Sequence, residues 1–85
     1  MSKPVRFTAH ARQKFDDLAD MGFLVSEDQV VDAVSNPDSV DTSETPATAQ
    51  KSISDHHVLR VVFVEDFDGI LVITFYPGRK KRYDG

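Results

Sequence analysis

Two apolar segments joined by a short polar turn constrain this fold more than any other feature. Residues 58–65 and 70–76 are rich in β-branched and aromatic side chains, which favour strands. Between them stands Phe67-Asp68-Gly69, with glycine where a three-residue hairpin loop needs a positive φ. The sequence therefore predicts an antiparallel β-hairpin near the end of the chain.

This loop also predicts which residues face each other. It sets Arg60 opposite Tyr76, Val62 opposite Thr74 and Asp66 opposite Ile70. One face of the hairpin is then wholly apolar, consisting of Leu59, Val61, Phe63, Leu71, Ile73 and Phe75. The other face carries Val58, Arg60, Val62, Val64, Ile70, Val72, Thr74 and Tyr76. A two-residue loop would mix the two sets, so the longer loop is favoured.

Two amphipathic helices are predicted before the hairpin. Thr8 can cap a first helix over residues 9–21, because its hydroxyl can accept from a free amide of the first turn, and Gly22 suits the left-handed C-terminal position. An S-x-x-Q capping box begins at Ser26 and opens a second helix. That helix ends before Pro37, which disfavours helical backbone in the residue preceding it.

Weaker strand patterns fill the space between helices and hairpin. Residues 39–42 suggest a short edge strand, and residues 48–54 a polar strand. We therefore expect an α+β fold, in which two N-terminal helices pack on a curved antiparallel sheet of three to four strands. One domain should span residues 1–85, with a basic tail at residues 78–85. Its expected core consists of Phe15, Leu18, Val30, Val34, Val61, Phe63, Ile73 and Phe75.

Composition limits the classes of function. A chain of 85 residues has room for one small core. It contains no cysteine, which excludes disulfides, thiol chemistry and the usual zinc clusters. Its apolar runs are far shorter than the roughly twenty residues of a membrane span, and no signal peptide pattern opens the chain. We expect a cytoplasmic protein without a membrane segment, metal or cofactor.

Arg60 and Tyr76, adjacent in the predicted register, are the main candidates for chemistry. RNA cleavage without a metal needs a group that stabilises the phosphorane and groups that move protons. An arginine fork suits the first role, and a tyrosine hydroxyl can serve the second or stack on a base. The alternative is a structural cross-strand pair, held by a cation–π contact or a hydrogen bond.

Other polar residues are weaker candidates. His10 and Lys14 are four residues apart on the first helix and point the same way, which suits acid–base work, although His10 would equally serve as a helix-boundary residue. His56 and His57 diverge in an extended chain, which disfavours a metal site.

A basic run consists of Arg79, Lys80, Lys81 and Arg82. It is either a phosphate-binding patch or a solvated tail, within a chain of net charge -4.

The segments FTAHARQKF, SEDQVVDAVSNPDSV and HHVLRVVFVEDFDGILVITFYPGRKKRY together resemble a known pattern. The chain, over residues 7–83, is similar to a small prokaryotic domain of unknown function that is grouped with the RelE/ParE-type toxins of the barnase–RelE superfamily. Lys14 stands where that family more often has arginine. The resemblance implies a RelE-like fold and an RNA-directed toxin of a toxin–antitoxin system, or a relic of one.

Two hypotheses follow. In the first, the chain is a metal-independent endoribonuclease, with Arg60 stabilising the phosphorane and with Tyr76 and His10 transferring protons or stacking on bases. Its RNA would be held by Lys14, Thr74, Arg79, Lys80, Lys81 and Arg82. In the second, the chain is a non-catalytic module that binds an antitoxin-like protein, or forms a homodimer, through the apolar residues of the same sheet face.

Overall fold

Residues 4–80, which the computed structural model describes, form two helices and a five-stranded mixed sheet. The elements in chain order are β1 (Val5–Phe7), α1 (Ala9–Asp20), α2 (Glu27–Ser35), β2 (Ser39–Asp41), β3 (Ala47–Ser52), β4 (His57–Asp66) and β5 (Gly69–Arg79). The α+β class and the order of helices before hairpin are confirmed. Neither helix in these residues is long and apolar enough to cross a membrane.

The strands lie in the order β1-β5-β4-β3-β2. β2, β3, β4 and β5 pair antiparallel, whereas β1 pairs parallel with β5. The edge position of β2 is as predicted. The prediction of a purely antiparallel sheet of three to four strands is wrong, because it omitted β1. That strand is only three residues long and gives no periodic signal of its own.

The helix caps form as the sequence predicts. The Thr8 hydroxyl accepts from the Ala11 amide at 3.0 Å. At α2, Ser26 and Gln29 make both bonds of a capping box, at 2.9 and 3.1 Å. α1 ends one residue earlier than predicted, and Gly22 follows with a positive φ of 82°. These local bonds satisfy free helix amides and fix where each helix begins.

Both helices cover the same face of the sheet. The buried cluster between the layers consists of Ala11, Leu18, Val25, Val30, Ala33, Val34, Ala49, Leu59, Val61, Phe63, Ile70, Val72 and Phe75. Six of the eight predicted core residues belong to it. Phe15 is half-buried and packs on the cluster, with its ring centroid 4.6 Å from that of Phe75. Ile73 lies outside the cluster, so that part of the prediction is wrong.

The predicted hairpin register is confirmed at the end that contains Arg60 and is wrong at the hairpin tip. Arg60 pairs with Tyr76 and Val62 with Thr74, as predicted. The register then shifts by one, so that Phe63 pairs with Val72, and at the tip Asp66 pairs with Gly69. The loop therefore has two residues instead of three. Ile70 and Val72, predicted on the opposite face, join the core, while Leu71 and Ile73 are only half-buried.

The shift arises because Ile73 is an extra residue of β5, which makes a β-bulge. The Ile73 carbonyl accepts a hydrogen bond from the Thr8 hydroxyl at 2.8 Å, and the Val72 carbonyl accepts one from the Thr8 amide at 3.0 Å. The start of α1 thus supplies partners to strand backbone beside the bulge. An extra residue also reverses the inside–outside alternation along the strand.

Gly69 anchors the other end of β5. It has a φ of 116°, which other residues rarely adopt. A side chain here would also collide with the Pro4 carbonyl oxygen. That oxygen accepts from the Ile70 amide at 2.9 Å, which begins the β1–β5 pairing.

Replacing Phe75 by alanine should strongly destabilise the domain, because the side chain is fully buried between sheet and α1. We expect a loss of about 3 to 5 kcal/mol in the free energy of unfolding, measured by urea denaturation. Phe67→Ala is the matched control, since Phe67 is fully exposed at the hairpin tip. A loss at position 75 no larger than at position 67 would contradict the assignment of the faces.

Candidate functional site on the open sheet face

The face of the sheet turned away from the helices is called the open face here. Strand alternation and the pairing register put on it Gln50 of β3, Arg60 and Val62 of β4, and Thr74 and Tyr76 of β5. Val58 also lies on this side and is buried, yet it is not part of the core cluster. The open face is therefore apolar around the valines and polar along the row from Gln50 to Tyr76.

Arg60 is fixed at the centre of this row. Its Nε donates to Gln50 Oε1 on the neighbouring strand at 2.9 Å. Its guanidinium also lies beside Gly78, where an added Cβ would make ordinary van der Waals contact with Nη1 at 3.4 Å. The side chain is thus oriented by an amide on the neighbouring strand.

Arg60 has no carboxylate partner among the residues that the structure describes. Its two terminal nitrogens also make no hydrogen bond within residues 4–80. The residue is half-buried, and a charge removed from water is normally paired. Arg60 therefore presents a positioned and uncompensated cation, which is suited to an anionic ligand.

Two shallow concavities flank Arg60. The first concavity has a volume of about 540 Å³ and is lined by Asp38, Gln50, Ser52, Val58, Arg60, Arg79 and Lys80. The second concavity, of about 400 Å³, is lined by Ser39, Val40, Asp41, Thr48, Gln50, Arg60 and Tyr76. Arg60 and Gln50 line both. A ligand that crosses the open face would therefore meet Arg60 between the two.

Five of the sequence-derived candidates come together here. Arg60 and Tyr76 are cross-strand neighbours, and Thr74 lies one pair further along the same face. Arg79 and Lys80 line the first concavity and form no ion pair with any residue of 4–80. Two remaining members of the basic run, Lys81 and Arg82, lie outside the described residues.

His10 and Lys14 are not part of this group. Both belong to α1, which packs on the opposite face of the sheet.

His57 contacts the edge of the Phe23 ring, with centroids 5.4 Å apart, and its Nδ1 lies 3.4 Å from the Ser54 hydroxyl. Within residues 4–80 no group of three or more histidines and carboxylates is placed to hold a metal ion.

Sequence reasoning missed three residues of the site. Gln50 was assigned to a polar strand without a role, although it orients Arg60. Gly78 was counted within the basic tail, and the guanidinium lies beside it. Asp38 follows an Asn-Pro pair, which indicates only a turn. No local sequence pattern identifies these residues, because the role of each depends on its contact with a neighbouring strand.

Asp41 lines the second concavity, and two hydrogen bonds favour its ionised form. The Ser43 hydroxyl and the Ser43 amide both donate to Asp41 Oδ1, at 2.5 and 2.9 Å. These bonds hold the pKa of Asp41 below that of an unperturbed aspartate, and the hydroxyl contributes most. A smaller desolvation cost acts in the opposite direction on this pKa.

Comparisons of the chain with protein-family models, with curated proteins and with solved structures find no match. Function must therefore be inferred from the site itself.

A carboxyl titration followed by NMR should show Asp41 protonating at lower pH than exposed aspartates without such bonds, because its charged form accepts two hydrogen bonds. Ser43→Ala removes the hydroxyl bond and keeps the amide bond, so it should raise the pKa of Asp41 part of the way. An unchanged Asp41 titration in Ser43→Ala would contradict this account.

Proposed function

We propose that the open face binds single-stranded RNA and that the chain is a RelE/ParE-like, metal-independent endoribonuclease. The observation that carries this proposal is Arg60, which is oriented by Gln50 and is left without a carboxylate among the described residues. Phosphate matches the geometry of the two guanidinium nitrogens, which make no hydrogen bond within residues 4–80.

The charges around Arg60 support phosphate as the ligand. Arg79 and Lys80 share the first concavity with it. Three cations on one side of an otherwise acidic chain can contact successive phosphates of a backbone. Because these three cations form no ion pair within residues 4–80, the concavity is suited to a polyanion.

Tyr76 supports RNA in single-stranded form. Its side chain is 39% exposed and lies on the strand position opposite Arg60. Exposed aromatic rings beside phosphate-binding cations give unpaired bases a stacking surface. A duplex would keep its bases stacked and could not use this ring.

Cleavage would proceed by transesterification. The ribose 2′-oxygen attacks the adjacent phosphorus, and the bond from phosphorus to the 5′-oxygen breaks. Arg60 stabilises the charge of the phosphorane. In this mechanism Tyr76 gives a proton to the leaving 5′-oxygen. The products are a 2′,3′-cyclic phosphate and a 5′-hydroxyl, and the reaction uses no metal.

A protein-binding role is the second candidate, and the apolar part of the open face favours it. Val62, Val64 and Leu71 are half-buried there, with no helix over them. An antitoxin-like protein or a second copy of the chain could cover this patch. Such binding would persist at salt concentrations that release RNA.

Replacing Arg60 by alanine should reduce RNA cleavage by about 10² to 10³-fold, since one charge aimed at the transition state is lost. Cleavage of a single-stranded oligonucleotide would be measured in EDTA, where the wild-type protein should remain active. Arg12→Ala is the matched control, because Arg12 lies in the helix layer against the Phe7 ring. It removes the same charge from the other side of the molecule.

Joint replacement of Arg79 and Lys80 by alanine should change the salt dependence of RNA binding. Loss of two phosphate contacts should flatten the slope of log affinity against log salt by about 1.4. Fluorescence anisotropy with labelled RNA measures this slope. RNA left intact and unbound by the wild-type protein would contradict the proposed function and favour the protein-binding module.

A further inference from the structure

A carboxylate projects into the same concavity as the proposed phosphate ligands. Asp38 lies in the connection between α2 and β2, and it lines the first concavity together with Arg60, Arg79 and Lys80. Two backbone hydrogen bonds fix it. Its amide donates to the Gln50 carbonyl, and its Oδ2 accepts from the Ser52 amide, both at 2.8 Å.

The position of this carboxylate is unfavourable for phosphate binding. It forms no ion pair with Arg60, Arg79 or Lys80, so its negative charge remains and repels a phosphate. Its Oδ1 accepts no hydrogen bond from any residue of 4–80. The bond to the Ser52 amide needs only an acceptor, which asparagine would provide without the charge. Because Asp38 is also exposed, its Oδ1 is accessible to a ligand.

We propose that Asp38 is the general base that removes the proton from the ribose 2′-hydroxyl, an assignment that rests on the proposed ribonuclease function. In-line displacement places the attacking and leaving oxygens on opposite sides of phosphorus. Asp38 lines the first concavity and Tyr76 the second, while Arg60 lines both. A phosphate at Arg60 would thus have a proton acceptor on one side and a proton donor on the other.

The proton balance of the step is complete. Asp38 Oδ1 takes the 2′-hydroxyl proton as the 2′-oxygen forms its bond to phosphorus. The bond from phosphorus to the 5′-oxygen breaks, and the Tyr76 hydroxyl protonates that oxygen. Water then returns a proton to Tyr76 and receives the one held by Asp38. No oxidant, metal or second substrate is required.

Asp38→Asn tests this assignment, because it keeps the shape and the acceptor for the Ser52 amide while removing the base. Single-turnover cleavage of a single-stranded RNA should slow by about 10² to 10⁴-fold. Binding would be measured separately, with an oligonucleotide carrying 2′-deoxyribose at the cleaved position. It should be unchanged or tighter, since a repulsive charge is lost.

Two further variants complete the experiment. Asp38→Glu retains a carboxylate and should cleave faster than Asp38→Asn, which also protects the test against a fold defect specific to asparagine. Asp16→Asn removes an equal charge from an exposed position of α1 and should cleave like the wild-type protein. Urea denaturation would establish that each variant is folded under the assay conditions.

The outcomes separate the two proposals. If Asp38→Asn cleaves within about threefold of wild type, or if Asp41→Asn loses activity in its place, the assignment of Asp38 is overturned and the ribonuclease stands. If binding to the deoxy-substituted oligonucleotide falls in parallel with the rate, Asp38 is structural and the assignment is also overturned. Absence of cleavage by the wild-type protein overturns both proposals.

Discussion

The two hydrogen bonds of the Thr8 hydroxyl determine how the rest of the molecule is arranged. This oxygen accepts from the Ala11 amide at the start of α1 and donates to the Ile73 carbonyl in β5. One side chain therefore caps a helix and satisfies the backbone of a bulged strand. Because the bulge adds a residue, β5 can direct Val72 on one side of it and Phe75 on the other into the same core. A regular strand would have turned one of them outward.

The open face depends on the same bulge. The residues of β5 beyond it, Thr74 and Tyr76, face away from the helices and opposite Val62 and Arg60. Without the extra residue, a strand that buried Val72 would also have turned Tyr76 toward the helices. The candidate site is thus built on the centre of a five-stranded sheet, where its geometry is fixed by paired strands on both sides. Rigid support of this kind favours positioned chemistry over adaptable binding.

The sequence predicted correctly those features that depend on contacts between residues close in the chain. It also predicted the strand pairing where the apolar residues separate cleanly onto one face. The caps at Thr8 and Ser26 and the pairing of Arg60 with Tyr76 are of this kind. It failed from Phe63 to the hairpin tip, because the sorting assumed an uninterrupted ladder. The bulge is bonded by Thr8, which is 65 residues away from Ile73 in the chain. Asp38 was missed for a similar reason, since its role depends on the strand that it lies beside.

Gln50 holds the cation and the carboxylate of the candidate site apart. It accepts from Arg60 Nε through its side chain and from the Asp38 amide through its carbonyl, so it positions a cation and a carboxylate without joining them. A direct ion pair between the two would neutralise both and would leave neither available to a ligand. Uncompensated charges give a domain of this size no stability, and the partial burial of Arg60 makes its charge costly, whereas Asp38 is exposed. The neutral amide that separates the two leaves both open to a ligand, and the proposed substrate would bring phosphate to one and a hydroxyl proton to the other.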